Sequence, residues 1–317
     1  MLPKDKDADA IIRACSYHRQ DFHLIMVRSR PYVTEDVQNS LQIPFETSPA
    51  SKLGGFDRLP QELISMIFDD LDILSYFRFR QVNRHARFMS TLPREYQLIA
   101  RYGLEGLRGL LRSHCADSFT IMELYRVLIT PNCTLCGEFG GFLFLLTATR
   151  CCFNCLSESP KLNVISTTDF ARAAGISTSQ LNRSYSQTLR TVSGGRYTRN
   201  YYKVKRPKKL ILKEAAITAL ALQNALKEHS ISSLSRVGQQ IDQGFMACTS
   251  FPWYDTNTGK VEYGVSCEGC RQRAGSAFAI DSDIDKMFST TGFLSHFPSC
   301  AEAREIWAVF QKEAMLV

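Results

Sequence analysis

A chain of 317 residues is longer than one ordinary domain and leaves room for two or three, each with a modest core. With 44% hydrophobic and 22% charged residues it excludes wholesale disorder, and its longest apolar stretch, Phe139 to Ala148, is about half the ~20 residues of a membrane-spanning helix. The net charge of +7 is unevenly placed: Phe170 to Lys213 holds eleven Arg and Lys and no Asp or Glu, which leaves the remainder at 7 − 11 = −4.

The opening MLPKDKDADAIIRACSYHRQ mixes both charges and lacks the apolar core of a secretory signal, so the expected location is the nucleus and/or cytoplasm. Eleven cysteines in such a reducing compartment are poor disulfide candidates, whereas thiolates at short fixed spacing are good metal ligands. Residues 1–55 read as a tail or linker with one short helix around Ile11 to Val27.

From Phe56 the pattern becomes helical, and residues 56–130 read as a helical unit. In the first helix Asp57 is placed to cap, Pro60 suits the first turn and Glu62 favours the positive end of the helix dipole. Leu63, Ile67 and Leu71, with Ile64 and Phe68 beside them, form its apolar stripe. A second and third helix put Leu74, Phe77 and Val82 inward, with Arg78, Arg80, Arg84 and Arg87 between them. REYQLIARYGLEGLRGLLRSH and SFTIMELYRVLIT continue as helix, the latter capped by Ser118, until Pro131 breaks the pattern.

Residues 131–245 begin with Cys133, Cys136, Cys152 and Cys155, two C-x2-C pairs fifteen residues apart, the spacing of a four-cysteine zinc ribbon. Gly137 permits a tight knuckle, and FGGFLFLLTATRC can form the connecting hairpin. Cys151 adjoins Cys152, but only Cys152 keeps the two-residue gap to Cys155. Residues 246–317 open with FPWYDTNTGKVEYGVSC, a hairpin around Asn257, Thr258 and Gly259. It feeds a second set, Cys267 and Cys270, then His296 and Cys300, where a helix capped by Thr291 would put the last two on one face unless Pro298 bends it. Two structural zinc ions are expected, since four protein ligands leave no open position for water or substrate. The plainer alternatives are buried cysteines acting as small hydrophobes and a core histidine among Phe293, Leu294 and Phe297.

The order of these ligands, with 111 residues between Cys155 and Cys267, does not fit a cross-braced RING. There is no H-x-E ahead of P-C-x-x-C, no G-x-S-x-G, no P-loop and no G-x-G-x-x-G, so no catalytic residue is assigned and no enzyme is expected.

FDRLPQELISMIFDDLDILSYFRFRQVNRHARFM resembles an F-box, with Leu59 and Pro60 at its start, then Glu62, Leu63 and Ile64, and VNRHAR in its last helix. An F-box, a ribbon ending in RCCFNC, a basic region, then CEGC and HFPSC before a terminal Trp is an order similar to a family of fungal F-box proteins. That resemblance implies an α+β fold, an N-terminal helical F-box bundle followed by a zinc-ribbon-containing α+β domain. It implies an adaptor linking a still unknown protein substrate to a Skp-cullin-F-box ubiquitin ligase. Leu59, Pro60, Leu63, Ile64, Ile67 and Phe68 would meet the Skp-family adaptor protein and through it a cullin, with catalysis in other subunits and no membrane involved.

The layout of Cys133 to about Glu228, with STTDFARAAGISTSQLN and LKEAAITALALQNALKE, is similar to the DNA-binding core of the xeroderma pigmentosum group A repair family. It implies an alternative, a nucleic-acid-binding zinc protein using the basic segment 170–213. Arg196, Arg199, Lys203, Lys205, Arg206, Lys208 and Lys209 would hold phosphates while Tyr197, Tyr201 and Tyr202 stack on bases. The same stretch also reads as a solvated loop or as an import signal at KVKRPKK.

Overall fold

The structure is a computed structural model that describes residues 5–19, 38–42, 52–185, 189–194, 208–222, 234, 241–273 and 286–314. Within the expected N-terminal tail lie a helix, α1 (Asp5–Cys15), and a short strand, β1 (Ser16–Tyr17). Ile11 and Cys15, one turn apart, are both buried against the C-terminal part of the chain. A partner that far along the sequence leaves no local signal, which is why this segment reads as a linker.

A 3-10 turn at Gly54–Arg58 leads into α2 (Gln61–Asp70), whose first turn follows Pro60 without any side-chain cap. Asp57 instead accepts the Leu53 amide at 2.7 Å. Asp72 caps α3 (Ile73–Arg80) and Asn83 caps α4 (Arg84–Met89), each accepting an amide three residues on. The start set by Asp72 turns Ile73, Tyr76 and Arg80 inward, leaves Leu74 and Phe77 half-buried, and strands Val82, 67% exposed, in the turn after α3. Arg80 is a buried cation where sequence spacing suggested a surface one. It donates to the Ser90 and Thr91 hydroxyls at 3.1 and 2.8 Å and lies 4.5 Å from the Tyr96 ring centre.

Next come α5 (Arg94–Tyr102), α6 (Leu104–Ser113) and α7 (Ile121–Leu128). Thr120, not Ser118, starts α7: its hydroxyl accepts the Glu123 amide while the Glu123 carboxylate accepts the Thr120 amide. The helix ends before Pro131, as expected, and the chain forms the hairpin β2 (Phe142–Phe144) and β3 (Thr149–Cys151), then α8 (Phe153–Glu158).

A separate unit follows in sequence: β4 (Val164–Ser166), α9 (Thr167–Ala174), α10 (Thr178–Tyr185), β5 (Thr191–Gly194), β6 (Lys208–Leu212) and α11 (Lys213–Leu222). Its antiparallel sheet has the order β4-β6-β5, and Ile165, Phe170, Leu181, Tyr185, Ile211 and Leu220 fill a core of its own. After α12 (Ile241–Met246), β7 (Cys248–Ser250) returns to pair with β2, completing the sheet β3-β2-β7.

That sheet and the helices α2 to α8 and α12 share one apolar core, running from Ile64, Phe68 and Tyr76 through Leu107 and Leu124 to Phe142, Leu156 and Phe251. The expected divisions at 130/131 and 245/246 both pass through it. Its polar fastener is Arg150, 1% exposed. The guanidinium donates to the carbonyls of Val127, Gly140, Phe251 and Pro252 at 2.5 to 3.1 Å, joining α7, the β2 approach and the exit from β7. Burial pulls its pKa down to about 9, opposed by neighbouring Cys151, so the group stays a cation at neutral pH.

The expected hairpin pairs β8 (Trp253–Tyr254) with β9 (Val261–Glu262), Tyr254 stacking on Tyr102 of α5 at 5.3 Å. Then β10 (Ser266–Cys267), α13 (Glu268–Arg273), α14 (Thr290–His296) and α15 (Ala301–Ala314) enclose a third core with α1. Among the described residues no helix is long and apolar enough to cross a membrane.

Candidate metal centres and the F-box face

The Sγ atoms of Cys133, Cys136, Cys152 and Cys155 all lie within 4.8 Å of one another. Cys133 and Cys136 sit on a knuckle closed by the Cys133 amide donating to Glu138 O at 2.7 Å and the Gly137 amide to Cys133 O at 3.0 Å. Gly137 has φ +79°, a left-handed turn that glycine alone enters without cost. Cys152 begins α8 and its sulfur accepts the Cys155 amide at 3.4 Å, as Cys133 accepts the Leu135 amide at 3.5 Å. Such N–H···S bonds orient and stabilise thiolates. Cys151, one residue earlier on β3, is not among the four and is buried in the main core. Burial drives its thiol far above the usual range.

The second set, Cys267, Cys270, His296 and Cys300, also has its donor atoms within 4.8 Å of one another. Cys270 Sγ is 3.4 Å from His296 Nε2 and 4.0 Å from Cys300 Sγ, which is 3.8 Å from Cys267 Sγ. Ser289 caps α14 in place of Thr291, and Pro298 converts the chain to a 3-10 turn, Phe297–Ser299. His296 and Cys300 therefore converge through a bend and not along one helix face. The imidazole stacks on Phe288 at 4.6 Å, which fixes its plane. Gly269 is required for close approach: a Cβ there would lie 2.3 Å from the Ala303 amide nitrogen and 2.9 Å from Cys300 Sγ. The α1–β1 segment reaches this centre directly, since Ser16 pairs with Cys267 across β1 and β10 and the Cys15 thiol donates to Ala303 O at 3.3 Å.

In each set one thiol is stabilised as a thiolate by its neighbour. A hydrogen bond from Cys152 lowers the Cys133 thiol below its usual range, and one from Cys270 does the same for Cys267. The donors bear the reciprocal cost, Cys152 and Cys270 both being pushed up by that same bond and by burial. Four sulfurs this close cannot all ionise unaided, and a divalent cation is the group that permits it. Tetrahedral zinc with ~2.3 Å bonds sets its sulfurs ~3.8 Å apart. The 3.5 Å between Cys136 and Cys152 and the 3.8 and 4.0 Å in the second set lie close to that spacing. The donor sets fit a closed tetrahedral ion, held by four thiolates in one case and by three thiolates and an imidazole in the other.

The six residues expected to meet an adaptor fall into three pairs by exposure. Ile64 and Phe68 are buried in the main core, and Leu59 and Ile67 are half-buried. Pro60 and Leu63 are exposed, and Met66, which spacing alone did not select, is 62% exposed beside them. The outer face of α2 thus exposes apolar Leu63 and Met66 among polar Gln61, Glu62, Ser65, Asp69 and Asp70, and Val82, Phe88 and Leu92 are further exposed apolar residues of the F-box span. Of the expected basic patch, Lys208 and Lys209 are exposed on β6, whereas Arg196, Arg199, Lys203, Lys205 and Arg206, with the three tyrosines, lie outside the described residues.

The F-box domain family matches residues 56–98, the span from the 3-10 turn into α5. No curated protein and no solved structure matches the chain.

Proposed function

We propose that this chain is a substrate adaptor of a Skp-cullin-F-box ubiquitin ligase working in the nucleus and/or cytoplasm, with two structural zinc ions shaping the part that presents the substrate. The supporting observation is the F-box match at 56–98 together with the outward face of α2, where Pro60, Leu63 and Met66 leave apolar surface uncovered while Ile64 and Phe68 anchor the same helix from behind. F-box domains typically bind a Skp-family protein and so a cullin. An adaptor raises the local concentration of its substrate near catalytic subunits and needs no reactive group of its own. Zinc would be held by Cys133, Cys136, Cys152 and Cys155 and by Cys267, Cys270, His296 and Cys300, with its coordination sphere filled by protein.

The test is co-purification of the full chain with a Skp-family adaptor. The double variant Leu63→Asp, Met66→Asp, both on exposed positions, is expected to fold with an unchanged melting temperature and to lose the adaptor. Intact, folded wild-type protein that recovers no Skp-family partner overturns the reading.

A further inference from the structure

The unit between β4 and β6 holds a feature that the adaptor reading does not use. Helix α9 ends at Gly175, φ +70°, where the Ile176 amide donates to Ala171 O at 3.0 Å and the Gly175 amide to Arg172 O at 3.3 Å. After Gly175, Ile176 and Ser177 the chain starts α10, with the Ser177 hydroxyl accepting the Gln180 amide at 3.0 Å. Two helices joined by a three-residue glycine turn have the connectivity of a helix-turn-helix. Both are locked by a shared core: Phe170, Ala171 and Ala174 of α9 bury with Leu181 and Tyr185 of α10, and Ile176 packs on them from the turn. The sheet β4-β6-β5 backs the pair, so α10 is carried on a rigid frame.

The outer face of α10 carries Ser179, Gln180, Asn182 and Arg183, all exposed. A helix face built only to be soluble ordinarily mixes both charge signs, and this one has no carboxylate. The whole stretch Phe170 to Lys213 has none, and Lys208 and Lys209 stand exposed on β6 of the same unit. Asn and Gln amides pair with the adenine edge and the Arg guanidinium with the guanine edge, while lysines hold phosphates. We propose that Thr167–Tyr185 is a duplex-DNA-reading helix-turn-helix in which α10 enters the major groove and Gln180, Asn182 and Arg183 contact base edges.

Groove dimensions select the occupant. The B-DNA major groove, ~12 Å wide, admits a helix. The major groove of duplex RNA is too narrow for side-chain readout. Single strands are held by stacking on exposed aromatic rings, and the one aromatic of α10, Tyr185, is buried. The proposal stands independently of the adaptor reading.

The experiment uses the full-length chain and a pool of duplex DNA with a randomised centre of about 20 base pairs, followed by fluorescence anisotropy on the enriched and scrambled duplexes. An enriched site is expected, bound at least ~10-fold more tightly than its scramble. Asn182→Ala and, separately, Gln180→Ala are each expected to weaken that site on the order of 5- to 100-fold. Binding to the scramble, the melting temperature and Skp-family co-purification stay unchanged, which separates failure here from failure of the adaptor reading. No enriched duplex overturns the proposal. So does equal or tighter binding of single-stranded DNA, duplex RNA or an acidic peptide, and so does a site whose affinity survives both α10 substitutions and falls only when Lys203, Lys205 and Arg206 are neutralised.

Discussion

The two cysteine centres use nearly the same donors but hold the chain together at different ranges. In the first, all four sulfurs come from residues 133–155, one hairpin with a short loop at each end, and the centre lies against the core that also contains the F-box helices. In the second, the donors come from two separated segments, and α1 and β1 from the far end of the chain close over them. A short hairpin costs little loop entropy to close, so the first centre is a local device on which a large core depends. The second joins distant segments over a small core, and its loss should be felt mainly there.

Removing one ligand from the first centre should have the largest effect. A structural zinc site is worth ~10–16 kcal/mol in model peptides, comparable with the ~5–15 kcal/mol of a whole domain. Cys152→Ser is expected to drop zinc from two ions to one and abolish the cooperative melt, whereas Cys151→Ser keeps both ions. Metal analysis and circular dichroism read both, and the reverse pattern would break the ligand assignment. Arg150→Met should cost about 3–5 kcal/mol in urea unfolding, because it removes the guanidinium donor from the buried carbonyls of Gly140, Phe251 and Pro252. Its zinc content should not change.

Cys300→Ser tests the other side of the comparison. It should lose one zinc and make Asp5–Tyr17 sensitive to protease, while the main melting transition and Skp-family binding persist. If that variant unfolds globally, the two centres are not separable and the contrast fails. The smallest effect is expected at the α7 cap: Thr120→Ala, removing half of a capping box, should cost about 1 kcal/mol and leave both metals in place.

Both side-chain clusters could be read from the sequence because a C-x2-C knuckle writes its geometry into spacing. C-x2-C brings two sulfurs to one point whatever surrounds them, and the choice of Cys152 over Cys151 needed only the gap to Cys155. The β2–β3 and β8–β9 hairpins were legible for the same reason. The sequence LPQELI and the helical period of α2 likewise sufficed for the F-box, but not for the side of the helix that faces out. Leu63 and Met66 lie outside and Ile64 and Phe68 inside because of where α3, α5 and α7 pack, and a period of 3.6 residues does not say which stripe the neighbours will cover.

What the sequence determined by itself were features set by residues near one another in the chain, the knuckles, hairpins and helix periods, together with one feature of composition, the acid-free stretch from Phe170 to Lys213. Tertiary structure alone decided that Arg150 is an interior cation, that one core crosses the division at 130/131, and that α1 docks on the segment from β10 to α15. The physical reason is range. Local geometry is set by covalent spacing and backbone hydrogen bonds, whereas burial depends on surfaces contributed by residues a hundred or more positions away, such as Phe251 and Pro252 for Arg150 and Ala303 for Cys15.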